Sequence, residues 1–124
     1  MGNDLIIRRI DAVASQAVEH AEGARIQVLL GADQGMPNYY TRLFTLEPGG
    51  LIPVHRHPAV EHEQVVLEGE MVVLLEGGEE RRVSAGDVIY FPKTLAHGYE
   101  NRSAAPVRFI CVVPSGPAYQ TEWL

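Results

Sequence analysis

The sequence predicts an all-β fold, a single small barrel or sandwich of short strands. Three observations predict it. Apolar and β-branched runs of a few residues recur along the chain, Gly and Pro breakers stand between them, and only one stretch has a helical composition. At 124 residues, the span 1–124 is one domain's worth and buries a core without staples.

The runs are Leu5–Ile10, Ala24–Leu30, Tyr39–Leu46, Glu63–Leu67, Met71–Leu75, Val88–Phe91 and Val107–Val113. The breakers are Gly31, Pro37, Pro48-Gly49-Gly50, Pro53, Pro58, Gly69, Gly77-Gly78, Gly86-Asp87, Pro92 and Pro114-Ser115-Gly116-Pro117. The helical stretch, Asp11–Glu22, is Ala-rich with Asp11 as an N-cap candidate, but its apolar stripe is thin, so it reads as a loop or one helical turn. Val65-Val66-Leu67 and Met71–Leu75 are apolar at consecutive positions, which predicts burial of both faces. A barrel lumen covers one face; the other needs a second sheet or a second chain, and a homodimer is expected. The strands within 5–30 then pack on the barrel or on the dimer partner.

Bulk chemistry narrows the partners. Hydrophobic residues make up 46%, charged residues 21%, and the net charge is -6. That acidic balance disfavours nucleic acid and anionic membrane surfaces, and the ten Lys and Arg form no basic stripe. The longest apolar run, Met71–Leu75, is far short of the roughly 20 residues that span a bilayer. One cysteine, Cys111, excludes an intramolecular disulfide. Met1–Asp4 lack a basic n-region and an apolar h-region, so a cytoplasmic protein is expected.

The histidines carry the chemistry. His55 and His57 stand two apart, which puts both imidazoles on one face of a strand, and Pro53 and Pro58 bracket them as a strand end. His62 follows a Pro58-Ala59-Val60 turn, and His97 follows the turn at Pro92. Four of the five histidines therefore stand beside turns, where a rigid barrel can converge them on one divalent ion. His20 has no histidine near it in sequence and reads as a surface residue.

These residues resemble the two signature motifs of the cupin superfamily. The first reads Gly49-x5-His55-x-His57-x4-His62-x6-Gly69, and the second Gly86-x5-Pro92-x-Thr94-x2-His97-x3-Asn101. The resemblance implies a double-stranded β-helix, or jelly-roll, barrel with motif regions at 49–69 and 86–101. Two positions depart from the pattern. His62 stands where a glutamate is usual, although Glu61 and Glu63 flank it; the spacing to Gly69 favours His62. Thr94 stands where the motif has glycine, and a β-branched residue resists positive φ, so a rearranged turn is expected. The runs Arg42–Ile52 and Phe109–Pro114 are similar to small, single-domain, four-histidine cupins. That similarity implies one metal per chain, manganese or iron first, with zinc, nickel, cobalt and copper as alternatives.

Period-2 alternation nominates the pocket walls. Gln64 and Val66 share the face of His62, and Tyr99 and Asn101 that of His97. On the last long strand either Phe109, Cys111 and Val113 point inward, or Ile110 and Val112 do; the resemblance favours the first set. Arg42 and Ile52 complete the candidates, with Arg42 a charge in an apolar strand that needs a partner. A largely apolar lining predicts a small organic substrate. The leading expectation is an oxygenase-type enzyme; a metal-dependent isomerase or epimerase, with Tyr99 or Glu63 moving protons, and a binding module without turnover are the rivals.

Overall fold

A computed structural model describes residues 4–116 and 121–124. Among the described residues, ten strands run in chain order: β1 (Gln16–Ala17), β2 (Glu22–Leu30), β3 (Tyr39–Arg56), β4 (His62–Glu68), β5 (Glu70–Leu75), β6 (Glu80–Ser84), β7 (Val88–Phe91), β8 (His97–Glu100), β9 (Val107–Pro114) and β10 (Glu122–Trp123). They form one curled antiparallel sheet in the order β6-β5-β8-β3-β9-β4-β7, with β2 and β10 also on β3 and β1 on β2. The expected all-β jelly-roll architecture is what the chain adopts.

β3 organises the barrel. Its first half, Tyr39 to Leu46, pairs with β2 and β9, and its second half, from Leu51, pairs with β8 and β10. The corner lies at the Pro48-Gly49-Gly50 breaker, where Gly49 has φ +79°. One side of the curl packs Leu46, Ile52, Val66, Val73, Phe91, Tyr99 and Phe109 into the core. Inward and outward residues alternate on β4 and β9, as period 2 requires: His62, Gln64 and Val66 are buried, as are Val107, Phe109, Cys111 and Val113. The first of the two phase choices on β9 is therefore the one taken.

Two expectations need correction. Leu5–Ile10 is not a strand: residues 5–9 pair with no strand among the described residues, and a 3-10 turn covers Ile10–Ala12. The guanidinium of Arg8 takes the carbonyls of Leu29 (2.5 Å) and Val28 (3.3 Å), and Gln27 Nε2 takes those of Ile10 and Val13. Side chains thus satisfy groups that a backbone ladder would otherwise use, and Leu5 and Ile7 are left 84% and 82% exposed. The second correction concerns β4. Val66 is buried, but Val65 and Leu67 on the outer face are exposed, because no described residue covers that face. The Asp11–Glu22 stretch does hold the single helical turn expected of it, with β1 after it.

Candidate metal centre

The sheet topology brings four histidines to one end of the lumen. His55 sits at the close of β3 and His57 one residue past it, while His62 and His97 open β4 and β8. β8 runs directly against β3, with His97 opposite His55 in register. This approach needs Gly98, because a Cβ there would meet the Ile52 carbonyl at 2.5 Å. Ring centroids of His55 lie 4.9 Å from His57 and 4.7 Å from His97, and those of His62 lie 4.9 Å from His57 and 5.2 Å from His97.

Candidate ligand atoms of His55, His57 and His97 all lie within 4.8 Å of one another. His62 stands beside this triad as a fourth ring, with its Nδ1 3.4 Å from Cys111 Sγ. The outer nitrogens orient the inner ones. His55 Nδ1 lies 2.7 Å from the Pro53 carbonyl and His97 Nδ1 3.0 Å from that of Leu95. A carbonyl only accepts, so each Nδ1 carries the proton and each Nε2 keeps a lone pair for the interior. His97 Nε2 is buried and finds no hydrogen-bond partner among the described residues. An orphaned, inward lone pair in a cluster of imidazoles fits a metal ion better than it fits a packed core.

The electrostatics agree. Burial is the main cause that pushes His62 down to about 2 and His97 to about 3. The neighbouring histidines add to the effect, and for His62 so does Arg42. Burial lowers His55 as well, against its bond to Pro53. These three rings are neutral at neutral pH, the form that coordinates a cation.

The cluster opens on a cavity of about 330 Å³. Of the pocket candidates, Arg42, Ile52, Gln64, Tyr99 and Cys111 line it. Phe109 does not; it lies behind Tyr99, 5.1 Å between ring centres, and stacks on Phe44 at 5.2 Å. Inside, Gln64 Nε2 donates to Tyr99 Oη at 2.6 Å, and Arg42 Nη2 donates to Cys111 Sγ at 3.3 Å. Arg42 also lies over the Phe44 ring, 5.4 Å from its centre. Asn101, expected on the pocket wall, instead binds the backbone of Leu46 and Ala105 and the amide and hydroxyl of Ser103.

Trp123 lines the cavity and was not among the candidates. Its ring lies 4.9 Å from that of His55, and the His20 ring lies tilted against it at 4.8 Å. His20 is exposed, in keeping with its surface reading, yet it buttresses the wall of the site. The signal for Trp123 was weak: one Trp beyond the last recognisable strand, whose pairing with His55 is a long-range contact.

The Cupin domain family matches residues 42–113, more than half of the chain. The chain belongs to the cupin family. Among solved structures, the polyketide cyclase RemF from Streptomyces resistomycificus superposes with a TM-score of 0.86 at 26% identity, covering 96% of this cupin and 86% of that chain. The tetracenomycin polyketide synthase protein TcmJ of Streptomyces glaucescens is 28% identical over 100 residues, 80% of this cupin and 66% of TcmJ. Germin-like protein subfamily 2 member 3 of Arabidopsis thaliana is 39% identical over 72 residues, 55% of this cupin but 33% of the relative. This cupin therefore spans about a third of that germin-like relative's length. No helix among the described residues is long and apolar enough to cross a membrane.

Proposed function

We propose that this cupin is a mononuclear metal-dependent enzyme acting on a small, largely apolar organic substrate that bears a carbonyl group. One divalent ion per chain, manganese or iron before zinc, nickel, cobalt or copper, is held by His55, His57 and His97, with His62 as the fourth ligand. The observation that carries this reading is the buried, partnerless Nε2 of His97 inside a four-ring cluster that opens on an apolar cavity. Such an ion would polarise a substrate oxygen as a Lewis acid. The chain's own residues bind and orient: the imidazoles are fixed through their Nδ1 atoms, Ile52, Phe44 and Trp123 exclude water, and the Gln64–Tyr99 pair offers a neutral polar edge.

Four neutral ligands leave the ion's charge to be met by the substrate, which favours carbonyl activation. The similarity to RemF and TcmJ, a polyketide cyclase and a polyketide synthase protein by name, supports the same side. Ring closure or enolisation at a polarised carbonyl consumes no O₂. Oxygenation, the leading expectation from the sequence, uses the same residues and is the second reading, because a manganese or iron ion held by these histidines would also supply redox chemistry.

Elemental analysis of protein purified without chelator or affinity metal tests the centre. About one metal per chain is expected, lost in His97→Ala and His62→Ala; full retention in His62→Ala removes that residue from the ligand set. Turnover of carbonyl substrates under argon then separates the reactions. Activity that persists without O₂ supports Lewis-acid chemistry, and activity that stops overturns it in favour of oxygenation.

A further inference from the structure

β10 is short, yet it docks on the end of β3, where His55 and His57 stand. That end has β8 on one flank, with His97 opposite His55, and β10 on the other, with Trp123 opposite His55 and Glu122 opposite Arg56. The Leu124 N–H adds a bond to the Val54 carbonyl at 3.1 Å. Alternation sorts the side chains of β10 between two faces. Glu122 turns outward and pairs with Arg56 at 3.0 Å in a half-exposed contact, which is a weak reason for the strand to dock. Thr121 and Trp123 turn the other way and line the cavity. Each meets one member of the His55-x-His57 pair. The Trp123 ring centre lies 4.9 Å from that of His55, and Thr121 Oγ1 lies 3.3 Å from His57 Nδ1.

We infer that Thr121 and Trp123 are positioning residues of the metal centre: the Thr121 hydroxyl accepts the Nδ1 proton of His57, and Trp123 holds the ring of His55. The inference rests on the metal-centre reading above and extends it to a strand outside both histidine motifs. His57 is oriented differently from two of its neighbours. His55 and His97 donate Nδ1–H to carbonyls two residues earlier in the chain, so their rings are set locally. The contact between His57 and Thr121 spans 64 residues of sequence, so this ring depends on β10 being docked. A hydroxyl both donates and accepts, and the accepting role is the one that leaves the His57 Nε2 lone pair for an ion. Partners of this kind fix the ring and raise its basicity, and an apolar neighbour such as Trp123 keeps water from the ligands.

The test titrates metal-free protein with cobalt(II) against a chelating dye and records the visible spectrum of the bound cobalt. Thr121→Val keeps the branched shape and removes the hydroxyl. It should weaken binding by about tenfold to a hundredfold and change the spectrum. Thr121→Ser restores the hydroxyl and should restore both. Trp123→Ala should weaken binding by about tenfold, and Trp123→Phe should retain most of it. Glu122→Gln, on the same strand but facing outward, should leave the affinity unchanged. Nitrogen–proton correlation spectra of the metal-free protein at mildly alkaline pH read the tautomer directly. They should show the His57 proton on Nδ1 in the wild type and a share of it moved to Nε2 in Thr121→Val. Unchanged cobalt affinity in Thr121→Val or Trp123→Ala, an equal loss in Thr121→Ser or Glu122→Gln, or a wild-type His57 proton on Nε2 overturns the inference. Wild type that takes up no cobalt overturns the metal-centre reading instead, and the His57 spectra then decide the role of Thr121 by themselves.

Discussion

Thr94 donates its backbone N–H to the carbonyl of His57 at 3.1 Å while holding φ at +73°, a left-handed conformation at a β-branched residue. The bond ties the turn before β8 to the end of β3, and so fixes His57 relative to His97. The motif's glycine is absent, but the turn keeps glycine's backbone shape instead of rearranging. That strain costs about 1–3 kcal/mol and persists because the surrounding β-strands over-determine it.

Thr94→Gly relieves the strain, keeps the N–H, and gives back part of the gain as extra freedom of the unfolded chain. We expect a net stabilisation of about 1 kcal/mol, or about 4 °C in Tm, by urea or thermal unfolding of metal-free protein. Thr94→Val, equally branched, should show no gain. A Thr94→Gly protein no more stable than wild type would mean that the turn bears no strain.

Asn101 is fully buried and satisfies four backbone or side-chain partners at once. Its Nδ2 donates to the carbonyls of Leu46 (2.9 Å) and Ala105 (2.8 Å), and its Oδ1 accepts from Ser103 N (2.9 Å) and Oγ (2.7 Å). Its own backbone pairs with Gly49 and Gly50 at the corner of β3. Asn101→Ala orphans several buried groups together and should cost roughly 2–4 kcal/mol. Metal content per folded chain should not change. A parallel loss of metal at full stability would move Asn101 back to the pocket wall.

This residue also shows what the sequence could and could not tell. Period-2 reasoning put Asn101 on the face of His97, which is sound for a regular strand, but β8 ends at Glu100 and the next residue is free to turn into the corner. The histidines were legible because each stands beside a Gly or Pro turn, a local signal. Gln64 and Cys111 were legible because alternation along β4 and β9 is regular, with the phase of β9 chosen by the family resemblance, and Arg42 stood out as a charge in an apolar run. Trp123 was not, since only the pairing of β10 with the far end of β3 brings it to His55. Leu5–Ile10 has strand composition, and no local rule reveals that Arg8 and Gln27 side chains would replace the ladder.

The buried histidines make metal-free protein sensitive to acid. In the unfolded chain His62 and His97 protonate near the ordinary 6.5, whereas in the fold burial holds them at about 2 and about 3. The unfolded state therefore binds more protons throughout the window between, and stability is full above pH 6.5 and falls as pH drops below it. Each of the two should cost about 2 kcal/mol by pH 5. Urea unfolding of chelator-treated protein at pH 7.5 and pH 5 measures this. A flat profile would show that the two rings are not desolvated as their burial indicates, and His62→Asn with His97→Asn should flatten it by design.

The outer face of β4 and β7 decides whether the chain stands alone. Val65 pairs directly with Val88, and Leu67 and Tyr90 extend the same apolar strip, with Val88 74% exposed. β7 is also an edge of the sheet, and the phenol of Tyr90 is held by Glu61. The consecutive apolar residues of β4 make sense if both faces are covered, and an uncovered strip on an edge strand invites pairing with another chain. A homodimer through this face is therefore our expectation. Sedimentation at micromolar concentration should give twice the 13.7 kDa chain mass, and Val88→Lys with Leu67→Glu should return it to the monomer without loss of metal. A wild type that sediments as a monomer, or a double variant that stays dimeric, would remove this face as the interface.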